Sequence, residues 1–109
     1  MSYKLVPTET FKNEVRRLII KYPSIKSDLK ELSHVLKSDP KAGISLGNNF
    51  YKIRIKNSDA SKGKRGGYRV ITYVLDPEKV VRLLTIYAKS QKIDISDQEL
   101  KTVLRKQGL

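Results

Sequence analysis

The sequence predicts one α+β domain with its elements in the order β-α-α-β-β-β-α. Two early stretches repeat apolar residues at helical spacing: Phe11, Val15, Leu18, Ile19 and Tyr22, then Ile25, Leu29, Leu32 and Leu36. Each is the mark of one buried helical face. Further on, Tyr51, Ile53 and Ile55 alternate with Lys52, Arg54 and Lys56, the period-two pattern of a half-buried strand with one basic side. Tyr68–Leu75 and Val80–Tyr87 are rich in β-branched and apolar residues on both faces, which makes them central strands.

Tyr3–Val6 reads as a short first strand ended by Pro7. Thr8 or Thr10 can cap the helix that follows, and Ile20 falls on that helix's outer side. Pro23 and Ser24 break this helix and start the next. With Tyr22-Pro23 leaving almost no linker, the two form a helical hairpin packed on a sheet. Asp39-Pro40 and Gly43 close it, and the Gly47-Asn48-Asn49 turn opens the strand Phe50–Lys56. Residues 57–67 form a polar loop. Asp76-Pro77-Glu78-Lys79 joins the two central strands as a hairpin turn. Ser96 with Glu99 makes a capping box for a last helix running to about Lys106, with Leu100, Val103 and Leu104 on its apolar side behind Ile93 and Ile95.

At 109 residues the chain is one domain, residues 1–109, able to bury a core unaided. It has no cysteine, which excludes disulfides, thiol catalysis and thiolate metal sites. The single histidine, His34, lies on the outer side of the second helix and excludes a paired-histidine ribonuclease. No metal-ligand spacing is present and no cofactor is expected. Gly63, Gly66 and Gly67 precede a strand, not a helix, so they are no phosphate loop. Without a long apolar run or an apolar leader segment, the expectation is a cytoplasmic protein.

Charge is the dominant signal. The net charge is +12, and the eighteen residues from Lys52 to Arg69 carry +6 of it: seven cations against Asp59 alone. A polyanion is the natural partner, and nucleic-acid phosphate the commonest one. Lys52 and Arg54 project on one side of their strand, Tyr68-Arg69 opens the next, and Tyr87-Ala88-Lys89 ends the last. Strand pairing would gather them. Cleaving RNA needs a base for the 2′-hydroxyl, charge stabilisation at the pentacoordinate phosphate and an acid for the leaving 5′-oxygen. Arginine supplies the second, and a lysine crowded by other cations can supply the first or third. Lys52, Arg54, Arg69 and Lys89 are therefore the candidate catalytic groups. Lys56, Lys62, Lys64, Arg65 and Lys92 are candidate phosphate contacts, and the ring of Tyr87 is a candidate platform for a splayed base. A plain solvated face that keeps the chain soluble is the other reading of the same pattern.

Tyr51-Lys52-Ile53-Arg54-Ile55, Gly-Lys-Arg-Gly-Gly-Tyr-Arg-Val-Ile (63–71), Leu-Leu-Thr-Ile-Tyr-Ala-Lys (83–89) and Asp94-Ile95-Ser96 together resemble the RelE/HigB-type toxins of bacterial type II toxin–antitoxin systems, within the RelE/ParE superfamily. The likeness spans the whole chain, through the ordered set and not through any one motif. It implies an antiparallel sheet with helices on one face. It also implies a metal-independent endoribonuclease that cuts mRNA in the ribosomal A site, against 16S rRNA, and a cognate antitoxin that blocks it. Lys52 and Arg54 match the basic strand of the family, Arg69 its arginine after Gly-Tyr, and Lys89 the first of a basic pair whose second place holds Ser90. Ser96 stands where the stacking tyrosine of RelE itself would fall, which favours the HigB-like branch and leaves Tyr87 to stack. Two alternatives stay open: a ParE-type gyrase inhibitor without RNase activity, and a non-catalytic nucleic-acid-binding module.

Overall fold

A computed structural model describes residues 3–60, 67–89 and 96–106, apart from the side chains of 97, 104 and 106. In chain order the elements are β1 (Lys4–Pro7), α1 (Glu9–Lys21), α2 (Ile25–Ser38), β2 (Ile44–Gly47), β3 (Phe50–Ile55), β4 (Tyr68–Leu75), β5 (Val80–Ala88) and α3 (Asp97–Lys106). The five strands form one sheet in the order β1-β5-β4-β3-β2. The pairs β2–β3, β3–β4 and β4–β5 are antiparallel.

Two features depart from the sequence expectation. β1 pairs parallel to β5, with Lys4 opposite Val80 and Pro7 opposite Leu83, so the sheet is mixed. Such a pairing joins segments more than seventy residues apart, and no local pattern announces it. An extra strand, β2, precedes the Asn48-Asn49 turn. Both asparagines have positive φ (53° and 69°), as a two-residue hairpin turn of the twisted type requires.

Local chemistry explains the helix ends. Thr8 caps α1 by accepting the Phe11 N–H at 3.1 Å. Ser24 precedes α2 as expected, but its side chain makes no capping bond. Its carbonyl instead accepts the N–H groups of Ser27 and Asp28. At α3 the predicted box is formed in both directions: Glu99 N–H donates to Ser96 Oγ, and Ser96 N–H to Glu99 Oε1.

Helices α1 and α2 cover one face of the sheet. Phe11, Leu18, Tyr22, Ile25, Leu32 and Leu36 pack there on Ile53, Ile55, Tyr68, Val70, Leu83 and Ile86. The Tyr22 and Tyr68 rings meet edge to face at 5.8 Å. The other face carries a smaller cluster, in which Val103 and Leu100 of α3 cover Phe50, Ile71, Tyr73 and Leu84. Ile20 stands out on α1 at 85% exposed, and His34 is exposed on α2.

Candidate functional site

Strand register sets the site. Arg54 of β3 lies directly opposite Arg69 of β4, which lies directly opposite Tyr87 of β5. Directly opposed residues share a face, with Cβ atoms about 4.5–5.5 Å apart. The three thus form one row across the middle of the sheet, on the face away from α1 and α2. The next row on that face is Lys52 and Ile71. α3 sits on Ile71, so its apolar contact borders the basic row. Lys89 follows two residues beyond Tyr87. Its N–H donates to the Gly67 carbonyl at 3.0 Å, which fixes the end of β5 beside the start of β4.

The predicted groups differ in exposure. Arg54 and Lys56 are exposed, and Lys52 and Lys89 are half-buried. Arg69 is only 3% exposed, and its Nη1 donates to the Tyr68 carbonyl at 3.2 Å. Tyr87 is 6% exposed. Its ring is not presented to solvent, so the expectation that it stacks on a base is corrected: alternation places it on the right face, but it is packed there as a neighbour of Arg69. Lys62, Lys64, Arg65 and Lys92 lie outside the described residues.

Two cations directly opposed in an antiparallel pair destabilise the sheet. Burying one of them adds desolvation cost. The Arg54–Arg69 pairing sets two cations side by side, where a bound anion would meet both.

The stem of the loop after β3 is fastened to α2. Asp28, itself 3% exposed, accepts both the Ser58 N–H (2.9 Å) and the Ser58 hydroxyl. Asp59 accepts the Ser24 N–H at 2.8 Å. The one carboxylate in the basic stretch is thus turned to the α2 N-terminus, where the helix dipole favours it. Sequence reasoning missed Asp28. The signal was there: it is a charge on the apolar stripe that runs from Ile25 to Leu32 and Leu36, and a charge on a buried stripe needs a partner. A groove of about 320 Å³ opens beside this stem, lined by Asp28, Glu31, Leu32 and Val35 of α2 and by Ile53, Arg54, Ile55 and Lys56 at the edge of β3.

Tyr68, fully buried beneath this stem, has a hydroxyl with no hydrogen-bond partner among the described residues. Burial, and then the nearby Asp28 and Asp59 carboxylates, hold it protonated far above the ordinary tyrosine range. Among the described residues no three of His, Cys, Asp and Glu gather closely enough to hold a metal ion. Among the same residues no helix is long and apolar enough to cross a membrane.

A family model described as the RelE toxin of the RelE / RelB toxin-antitoxin system matches residues 4–107. The chain belongs to the RelE toxin family. Solved relatives agree on the fold of this toxin. A free double arginine-to-alanine variant of E. coli toxin RelE superposes with a TM-score of 0.64 at 19% identity, over 97% of this chain and 98% of that one. The toxin–antitoxin complex RelBE of E. coli matches at 0.58 and 27% identity, over 80% of this chain and 96% of that chain. The RelBE2 complex of Mycobacterium tuberculosis matches at 0.58 and 17%, over 81% and 92%.

Proposed function

We propose that this toxin is a metal-independent endoribonuclease that cleaves mRNA on the ribosome, and that a cognate antitoxin silences it. The observation that carries the reading is the opposed pair Arg54 and Arg69, with Lys52 two residues along β3 on the same face and Lys89 just past the end of β5. Arg54, exposed, engages the scissile phosphate. Arg69 lies beside it on the neighbouring strand and is buried, where low solvent access strengthens its field on the charge that develops as the phosphate becomes pentacoordinate. Lys52 and Lys89 approach from two sides. One takes the 2′-hydroxyl proton as the 2′-oxygen attacks phosphorus, and the other protonates the departing 5′-oxygen. The products are a 2′,3′-cyclic phosphate and a 5′-hydroxyl, and no redox partner or cofactor enters the balance. Lys56, Lys62, Lys64, Arg65 and Lys92 position the backbone of mRNA and 16S rRNA.

The antitoxin reading rests on family membership and on charge. A +12 chain is captured fast, and salt-sensitively, by an acidic amphipathic partner.

Primer extension on mRNA after induction tests the function. Cuts at a fixed codon position inside coding sequence, together with arrested translation, are the expected result. Intact mRNA with blocked DNA supercoiling would transfer the reading to gyrase inhibition. RNA retention without cleavage would leave a binding module.

A further inference from the structure

β5 does not alternate evenly. Ile71 of β4 pairs with Thr85, but the adjacent Thr72 pairs with Leu83, so Leu84 is an extra residue, a β-bulge. The packing agrees. Leu83 and Ile86 both face α1 and α2, although three positions apart, while Leu84 faces α3. Strict period two from Val81 and Leu83 would send residue 87 into the helix-packed core. The bulge reverses this and sets Tyr87 opposite Arg69 on the basic face. A bulge that re-aims a side chain beside a site is a recurring device.

α1 holds the bulge where β1 no longer reaches. β1 ends opposite Leu83. From there the Thr8 N–H donates to the Leu83 carbonyl at 3.0 Å, and the Thr8 hydroxyl to the Leu84 carbonyl at 3.0 Å. Glu14 Oε1 accepts the Thr85 hydroxyl at 2.7 Å and the Ile86 N–H at 3.0 Å. One carboxylate oxygen thus stands in for the missing strand.

We propose that Glu14 is a positioning residue: through the β5 bulge it sets Tyr87 beside Arg69 and so fixes the arginine row. The role in cleavage rests on the endoribonuclease reading; the geometric role does not. Glu14 touches neither substrate nor reacting atoms.

The test combines NMR with single-turnover cleavage of RNA on ribosomes, for wild type, Glu14→Ala, Glu14→Gln, Tyr87→Ala and Glu14→Ala/Tyr87→Ala. In wild type the Tyr87 ring shows NOEs to the Arg69 side chain; Glu14→Ala loses them. Glu14→Ala slows the saturated cleavage step about 10–100-fold, the scale of a small misplacement of catalytic groups, with RNA affinity within about twofold. Glu14→Gln, whose amide oxygen still accepts the Ile86 N–H, recovers most of the rate. The double variant is no slower than Tyr87→Ala, because both act through one element. Should Glu14→Ala fail to fold, Thr85→Val removes one of the two bonds at constant shape and carries the same readouts. Unchanged Tyr87–Arg69 NOEs, or full additivity in the double variant, would overturn the proposal. If wild-type protein cleaves no RNA, the endoribonuclease reading falls, while the NOEs still decide whether Glu14 sets the row.

Discussion

On one face of the sheet, Ile53, Ile55, Val70 and Ile86 meet α1 and α2, and none is more than 8% exposed. On the other, the same strands set Arg54 against Arg69, with Lys52 on the same face and Lys89 just past the end of β5. The first face obeys the rules of stable packing: apolar, layered, with the helical carboxylates that reach it satisfied, Asp28 by Ser58 and Glu14 by Thr85 and Ile86. The second breaks the rule against opposed like charges. A sheet can carry that conflict because the helix face stabilises it independently. The lesson is a division of labour, in which folding energy is drawn from one side and spent on charge at the other.

The division can be broken from either side. The largest effect is expected at the lysines: whichever of Lys52 and Lys89 moves the 2′-hydroxyl proton should lose about 10²–10⁴ in cleavage rate as the alanine variant. Its melting temperature should stay near wild type. Parallel unfolding and inactivation in both variants would show that the basic face also holds the fold.

Leu36→Ala, at a fully buried position under the helices, should act in the opposite sense. A cost of about 2–5 kcal/mol is expected in denaturant unfolding, with the cleavage rate per folded molecule preserved. A loss below about 1 kcal/mol would mean the helix face is not the main source of stability.

Tyr68 offers a milder test. Its folded-state pKa is raised, first by burial, whereas an unfolded tyrosine titrates near about 10. The stability linked to its retained proton is therefore complete below about pH 10 and is lost as pH climbs toward the folded value. Spectrophotometric titration should show the Tyr68 phenol ionising only as the protein unfolds. Tyr68→Phe should flatten the alkaline limb at no loss of stability, since its hydroxyl has no partner among the described residues. A full complement of tyrosines ionising before unfolding would contradict the burial argument.

The smallest effect belongs at the far end of the sheet. Asp76 accepts the Tyr3 hydroxyl (2.6 Å) and pairs with Lys41 (2.8 Å). The hydrogen bond from Lys41, and then that from Tyr3, hold its carboxyl below the usual range. The linked stability is present above the unfolded carboxylate pKa and fades as pH falls. Asp76→Asn should remove that acid dependence with only a slight fall in Tm, as exposed pairs contribute little. A fall as deep as that of Leu36→Ala would contradict it.

Much of this was legible in the sequence because it is local. The helical stripes, the Ser96–Glu99 box, the hairpin turn before Val80 and the alternation from Tyr51 to Lys56 each lie within a few residues. β2 escaped because Ile44-Ser45-Leu46-Gly47 is exposed throughout and joins the sheet by backbone bonds, which leave no apolar pattern. The parallel β1–β5 pairing escaped because it is non-local. At the site, alternation put Lys52 with Arg54, but only register shows that Arg54 stands opposite Arg69. Exposure was not legible either, since Arg69 and Tyr87 look like surface residues by type. The bulge at Leu84 was hidden because Leu83, Leu84, Thr85 and Ile86 are apolar or β-branched on both faces, so no alternation exists to be broken.

The opposed arginines are the centre of the account, and Arg69→Met tests them most directly. It keeps the buried aliphatic stem and removes one of the two facing charges. Single-turnover mRNA cleavage and thermal unfolding should be measured on one preparation. The account predicts a cleavage rate lower by about 10²–10³, the usual cost of one donor at a developing anion, with Tm near that of the wild type. Wild-type cleavage, or a loss of cleavage that merely follows a fall in Tm, would contradict it.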